Sequence, residues 1–431
     1  MSLAASALPA AVSRSPCRVV ITGLGAVTPL GHGRDGLWRG LRCGRSAVGP
    51  LTRFDATAFK SQVAAQIDDF DPLQWVDART VRRMDRYSQF AVVAAVQALA
   101  DSGLELDERA RELGGVYLGS ALGGLAFAEE QHCRYGHGGI RAVDPILALS
   151  VFGAAASANV AITLGLHGPN MTNANSCASG ALAIGQAFDL IRRGAAPFML
   201  AGGAETPLAP LTFGSFALIH ALSTHNSTPA TASRPFDATR DGFVMGEGAA
   251  TLLLEERDHA LARGAHIYGE ISGWATTTDA HHMTAPLPDG TQVRRVMLGA
   301  LADAGITPSD VGYVNLHGSG TPLGDRAEAQ AVAAVFADVP TPVPMSGTKA
   351  LTGHALGATG AIEAAVCALA LAHGWLPPSA NLATPDPACD LPFIGGDGLE
   401  RRVAHILSNS FGFGGLNVGL IFSHHAASSE C

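Results

Sequence analysis

Cys177 ends the run NANS and opens CASGALAIG, where an extended segment turns into an apolar helix. A helix start presents unpaired N–H groups and the positive end of the helix dipole, and both favour the thiolate, the nucleophilic form of cysteine. Ala178, Ser179 and Gly180 leave room for a substrate, and the N–H of Cys177 itself suits an oxyanion hole. His317 closes the apolar strand YVNL and begins GSGTPLGD, and His354 lies in GTKALTGHALGATG, five residues after Lys349. Strand ends followed by loops are where α/β proteins carry catalytic groups. Each side chain alone is more often a packed or capping residue; together they specify a Cys/His/His site. The glycines of NSFGFGGLN, Asn409 to Asn417, would turn main-chain N–H groups toward a small cavity, with Phe411 and Phe413 as bulky, movable walls.

Three other clusters invite a reading. Arg79, Arg82, Arg83 and Arg86 fall at i, i+3, i+4 and i+7, so a helix through DARTVRRMDRYSQF would place all four on one face. Such a stripe is ordinarily a solvated face, but in an acidic chain it is the best dock for an anionic partner. Gly23-Leu24-Gly25 after VVIT suggests dinucleotide binding, yet Thr28 stands where a third glycine belongs, so a structural turn is expected. His281-His282 lacks a third ligand at helical or strand spacing, so no metal is expected and His282 is read as lining the site.

The elements that must hold these groups alternate. Strand-like RVVITGLG, GVYLGS, FMLAGGAE, AATLLLEE, YVNLHG and HILSNS are interleaved with helical patterns at SQFAVVAAVQALADSG, from Cys177, and at DRAEAQAVAAVF, which predicts α/β layering. Residues 177–194 lie on residues 357–374 without a gap at an offset of 180, matching Ala178/Ala358, Gly180/Gly360, Ala181/Ala361 and Gly194/Gly374. Both segments are apolar nearly all round, so each reads as a core helix, and the pair predicts two stacked halves. A boundary falls near Arg263–His266, giving halves 18–265 and 266–424 with tails 1–17 and 425–431.

The 431 residues, 47% hydrophobic and 15% charged, exclude disordered and fibrous classes. A net charge of −9 gives no global field for nucleic acid or an anionic membrane. Seven scattered cysteines without a CxxC pair point to reduced cytoplasm rather than a disulfide framework. Pro145 to Phe188 carries no Asp, Glu, Lys or Arg, but polar interruptions and the lack of flanking Lys or Arg clusters argue against a membrane span. A wholly buried segment around the site is expected there.

With these motifs assembled, the chain resembles the elongating β-ketoacyl-acyl carrier protein synthases from about Arg18 to Phe422. The resemblance rests on NSCASGALAIG, RPFDATRDGFVMGEGAA, NLHGSGTPLGD, GTKALTGHALGATGAIE and NSFGFGG. It implies a thiolase-like duplicated α-β-α-β-α fold and an acyltransferase that condenses an acyl-Cys177 intermediate with decarboxylating malonyl-carrier protein. By the same resemblance His317 and His354 assist decarboxylation, and the N–H groups of Cys177 and Phe413 form the oxyanion hole. Lys349, paired with Glu363, orients the His354 loop; Phe413 is a gate, beside Phe411. Ser319, Thr321 and Thr284 meet a phosphopantetheine arm carried by the partner, with no cofactor resident in the chain. Arg79, Arg82, Arg83 and Arg141 match positions that dock the acidic carrier protein. The family implies a dimer, either of two copies or with a homologous chain-length subunit.

Departures from the fatty-acid pattern include Asn175-Ser176 and Ser319-Gly320, while Gly318-Ser319-Gly320-Thr321, ETPLAPLTFGSF and TPDPACDL are similar to aromatic-polyketide ketosynthases. The small run Gly153 to Asn159 predicts a widened acyl tunnel. A Cys/His thioester hydrolase is the rival from another class, and it would release free acid without consuming malonyl groups.

Overall fold

The computed structural model describes residues 16–425. Positions 1–15 and 426–431, the greater part of the two expected tails, lie outside the described residues. The strands of the main sheet are β1 (Val19–Thr28), β2 (Gly115–Gly119), β3 (Asn170–Asn173), β4 (Phe198–Glu205), β5 (Gly248–Glu256), β6 (Gly269–Thr278), β7 (Val311–Asn315), β8 (Met345–Ser346), β9 (His405–Gly412) and β10 (Leu416–Ser423). Their order is β8-β7-β9-β10-β6-β1-β5-β4-β2-β3, with the short strand Gly31–His32 added on β1.

That order is one pattern written twice. In the first half β2 runs parallel to β3 and β4, and β5 is antiparallel to both β4 and β1. In the second, β7 runs parallel to β8 and β9, and β10 is antiparallel to both β9 and β6. The halves join where β1 pairs with the start of β6.

The principal helices are α1 (Arg86–Ser102), α2 (Ala155–Leu164), α3 (Ser179–Arg192), α4 (Pro210–Leu218), α5 (Thr291–Ala304), α6 (Pro322–Val335) and α7 (Thr359–His373). A central core joins α3 and α7 to strands of both halves; α1 and α2 close the outer face of the first half, α5 and α6 that of the second. These are the α-β-α-β-α layers expected. The two aligned segments, 177–194 and 357–374, fold alike. Each begins with a non-glycine residue at positive φ (Ser176, 53°; Leu356, 40°), continues through a 3₁₀ turn, and enters its helix at Ser179 or Thr359. Their glycines interlock: a Cβ on Gly180 would lie 2.8 Å from the Ala361 nitrogen, and one on Gly360 2.8 Å from the Ala181 nitrogen. Glycine here permits backbone-to-backbone approach across the pseudo-twofold axis.

The stretch Leu356–His373 is long and apolar enough to cross a membrane by composition, but it is 89% buried in this core. Gly23-Leu24-Gly25 is not a turn. It lies inside β1, and a Cβ on Gly23 or Gly25 would fall 2.1 or 1.9 Å from the carbonyl oxygens of Ala98 or Ala94, because α1 rests directly on the strand. The uncharged segment is not wholly buried either. Helix α2 turns Ala156, Val160 and Leu164 inward, while Leu149, Val151, Phe152 and Ile162 are exposed, Ile162 by 78%.

Candidate active site

The 3₁₀ turn before α3 brings Cys177 into a cavity of about 260 Å³ together with His317, His354, Phe411, Phe413, Ser319, Thr321 and Thr284. His317 arrives on the loop after β7, and His354 precedes the turn into α7. Phe411 and Phe413 come from the hairpin β9–β10, whose turn uses Gly414 and Gly415 at positive φ (85° and 73°). The imidazoles of His317 and His354 are 5.5 Å apart and nearly perpendicular. Phe413 stacks on Phe216 of α4 at 6.2 Å, and Phe411 lies against His317 at 5.6 Å.

Lys349 does not line the cavity; it lies beneath, fully buried, 2.7 Å from Glu363. Its ammonium reaches the carbonyl oxygen and Nδ1 of His317, the latter at 3.3 Å, so it orients His317 and not the His354 loop expected from the sequence. This contact fixes a tautomer. An ammonium only donates, so Nδ1 of His317 must accept and the ring proton sits on Nε2. His354 Nδ1 is 2.9 Å from the Thr359 hydroxyl, which can donate and leave Nε2–H on that ring too. Burial, then the charge of Lys349 and the neighbouring His354, hold His317 well below the ordinary histidine range. Burial and Lys349 do the same to His354. Both are neutral donors at physiological pH. Burial pushes Glu363 up to about 7 against the opposing charge of Lys349.

The thiol departs from the expected thiolate. Burial pushes Cys177 up to about 11, opposed by the Ser176 hydroxyl, the charge of Lys349 and the Phe413 N–H, which points at the sulfur. Desolvation therefore outweighs the helix start, and the resting group is a thiol. The Cys177 N–H itself donates to no group among the described residues, and Gly412 packs beside it.

Two carboxylates missed by the sequence reading hold the loops. Glu328 of α6 accepts from the N–H groups of His317 (2.7 Å) and Gly318 (2.8 Å), fixing the His317 loop from below. Glu205, at the end of β4, accepts from the N–H groups of Ala121, Leu122 and Gly357 and from the Ser120 hydroxyl. A lone acidic residue ending the otherwise uncharged FMLAGGAE was the available signal.

Ser319 and Thr321 hydroxyls are 2.9 Å apart at the start of α6, with Thr321 capping the helix. His282 does not line the cavity. It is exposed, and its Nδ1 accepts from the N–H groups of Thr284 (3.1 Å) and Ala285 (3.2 Å). None of Gly153 to Asn159 lines the cavity, so the small run does not widen it within this chain. The arginine stripe also divides. The helix is interrupted between the short helix Ala78–Val81 and α1, leaving Arg79, Arg82 and Arg83 exposed. Arg86 turns inward to Glu247 and the Ile67 carbonyl, over the Phe90 ring. Arg141 is exposed on another segment, and none of these arginines lines the cavity.

Family models described as the N-terminal and C-terminal domains of beta-ketoacyl synthase match residues 17–260 and 268–383. The chain belongs to the β-ketoacyl synthase family. Among curated β-ketoacyl synthases, the 3-oxoacyl-acyl-carrier-protein synthase 2 of Synechocystis sp. is 44% identical over 95% of this chain and 98% of its own. That of Coxiella burnetii is 43% identical over 94% and 98%. Among solved structures, a β-ketoacyl synthase from Burkholderia phymatum superposes with a TM-score of 0.88 at 38% identity, covering 95% of this chain and all of that one. The ishigamide ketosynthase/chain length factor gives 0.89 at 34%, with the same coverage. A type II polyketide ketosynthase in complex with its acyl-carrier protein gives 0.87 at 34%, again with the same coverage.

Proposed function

We propose that the protein is a 3-oxoacyl-acyl-carrier-protein synthase that joins an acyl group to a malonyl unit with loss of carbon dioxide. The observation that carries this reading is one cavity in which the Cys177 thiol and the imidazoles of His317 and His354, both held neutral by burial, converge, with the Phe413 N–H directed at the sulfur. In the first step the Cys177 sulfur attacks the acyl thioester carbonyl. The oxyanion is held by the N–H groups of Cys177 and Phe413, the carbon–sulfur bond to the carrier breaks, and the thiol proton passes to the departing carrier thiol. In the second, the bond between the malonyl carboxylate and its α-carbon breaks, and the enolate oxygen accepts hydrogen bonds from His317 and His354. The α-carbon then attacks the acyl-Cys177 carbonyl and expels the Cys177 sulfur as a thiolate; carbon dioxide leaves, and a proton from solvent restores the resting thiol. Neutral imidazoles suit this step because they donate without surrendering a proton to the enolate, and Lys349 and Glu363 keep the His317 donor aimed.

Ser319, Thr321 and Thr284 serve the phosphopantetheine arm of the carrier protein, and Arg79, Arg82, Arg83 and Arg141 its acidic surface. The exposed apolar groups Ile140, Leu149, Phe152 and Ile162, together with the edge strand β3, support a second ketosynthase-like subunit as the covering partner. Either a second copy or a chain-length subunit fits, and mass photometry of the purified chain with and without such a subunit separates them. The thiol at position 177, with the other described cysteines also unpaired, supports a reducing cytoplasmic setting.

Intact-mass spectrometry with acyl-carrier proteins of graded chain length tests the reaction. Acyl mass is expected on the wild type and absent from Cys177→Ala, and malonyl-carrier protein should then discharge it as a carrier-bound 3-ketoacyl product. Free acid released without malonyl consumption would identify a hydrolase instead.

A further inference from the structure

The repeat pairs Cys177 with Gly357, and the two backbone N–H groups meet opposite fates. That of Cys177 is left unpaired beside the cavity; that of Gly357 donates to Oε2 of Glu205 at 3.0 Å. The carboxylate is fully buried and pairs with no cation among the described residues. Ala121 N–H donates to the same oxygen at 2.6 Å, while Leu122 N–H and the Ser120 hydroxyl donate to Oε1 at 3.1 and 3.0 Å. A Cβ on residue 357 would fall 2.6 Å from this carboxylate and 2.3 Å from the Ala121 nitrogen, so glycine is required for the arrangement to close. The residues it ties together are not remote from the chemistry. Cys177 and Leu356 belong to one buried cluster against which Ala121 and Leu122 pack, and of these three neighbours Leu356 lines the cavity, from its positive-φ position.

We infer that Glu205 is a positioning residue of the acyl-binding wall: its carboxylate fills the second half's counterpart of the oxyanion position and clamps the Ala121-Leu122 loop to the Leu356-Gly357 turn behind Cys177. Four donors converge on it from both halves, and three are backbone N–H groups that no neutral side chain could satisfy together. An amide in its place would turn an NH₂ group toward N–H donors. The wall that meets the first carbons of an acyl chain would then shift, while His317 and His354, held by Lys349, Glu328 and Thr359, would stay. The inference rests on the ketosynthase reading of the cavity.

The test compares wild type with Glu205→Gln, using short and long acyl-carrier proteins and the acyl-transfer step read separately from malonyl decarboxylation. Glu205→Gln should change the ratio of kcat/KM between long and short acyl chains by about tenfold, with decarboxylation nearly preserved. A second readout follows from charge. Besides Glu205, the groups around the Cys177 sulfur are the imidazoles of His317 and His354 across the cavity, the Ser176 hydroxyl, Lys349 and the Phe413 N–H, and the Glu205 anion works against ionisation of the thiol. The midpoint of iodoacetamide alkylation at Cys177 should therefore move to lower pH in the variant. An unchanged chain-length ratio and an unchanged alkylation midpoint in a folded variant would overturn the inference while leaving the synthase reading intact. Absence of acylation in the wild type would overturn the synthase reading itself. Should Glu205→Gln not fold, Ser120→Ala, which removes one donor from the same carboxylate but keeps its charge, should move the chain-length ratio in the same direction by less without lowering the alkylation midpoint; an unmoved ratio would count equally against the inference.

Discussion

The two halves hold equivalent positions and put chemistry in complementary ones. At the turn into the central helix the first half has Cys177 and the second Gly357. Three residues earlier the first has Ala174 and the second His354. On the loop after the second strand of each half, Ala121 and His317 stand at matching places, because Ser120 and Leu316 both donate to the neighbouring strand, at Asn173 and Ser346. Both loops present two consecutive N–H groups to one buried carboxylate, Glu205 or Glu328, yet the carboxylates come from different elements. Duplication supplied two scaffolds for one cavity: one carries the Cys177 thiol and a plain wall, the other the His317 and His354 imidazoles and a plain turn.

The largest effect that could break this division, beyond the loss of acylation in Cys177→Ala, falls on the buried pair of the second half. Lys349→Met leaves Glu363 buried without its cation, a loss on the order of 3–5 kcal/mol by analogy with broken buried pairs. It also frees the His317 ring to choose the other tautomer. Denaturant unfolding should register the first effect. The second should appear as a fall in malonyl decarboxylation with acyl transfer to Cys177 retained in whatever fraction folds. Equal loss of both half-reactions would show that the halves do not divide the chemistry.

Gly357→Ala sharpens the contrast between the turns. Cys177 has a Cβ and its repeat partner cannot, since that atom would strike the Ala121 nitrogen and the Glu205 carboxylate. The expected cost is about 2–3 kcal/mol, while Gly153→Ala, where a Cβ meets nothing within 4 Å, should be near neutral. Comparable melting temperatures for the two variants would remove the steric basis of the asymmetry.

The loop carboxylates differ from surface acids in their pH linkage. Burial raises Glu328 from 4.5 to about 7, so between those values the folded protein binds more protons than the unfolded chain. Its contribution to stability therefore falls as pH rises through this window, by on the order of 3 kcal/mol in total. In Glu328→Gln that slope is absent. The stability advantage of wild type over the variant, measured in urea, should shrink from pH 5 to pH 7.5. A constant difference would mean that Glu328 is ionised throughout.

How far the sequence disclosed this arrangement depended on the range of the interaction. Cys177, His317 and His354 were legible because each sits in a local signature, an apolar element breaking into small or glycine-rich residues. The central helices were legible because burial on all sides leaves no polar face. Gly23 and Gly25 were misread as a turn because their cause is a helix some seventy residues away pressed onto the strand. Glu205 and Glu328 escaped notice because a carboxylate that caps backbone N–H groups leaves no partner type to recognise in the chain. The exposed face of α2 escaped for the opposite reason: an apolar composition looks the same whether a residue faces the core or the surface.

The arginines give the smallest effect and the finest division. The helical spacing put four on one face, but Asp85 caps a new helix at Arg86 and ends the stripe after Arg83. Arg79, Arg82 and Arg83 have no carboxylate partner among the described residues and stand exposed. Arg86 holds Glu247, which is 1% exposed, jointly with Arg53. Replacing Arg82 and Arg83 by Gln should weaken carrier-protein binding by about 0.2–1 kcal/mol per residue, with the loss diminishing at high salt and the melting temperature unchanged. Arg86→Gln should do the reverse, lowering the melting temperature because Glu247 keeps only one cation, and leaving the salt dependence of binding intact. If Arg86→Gln weakened binding in a salt-dependent way without loss of stability, the docking stripe would have to run on into α1, and the break in the helix would not divide an outward role from an inward one.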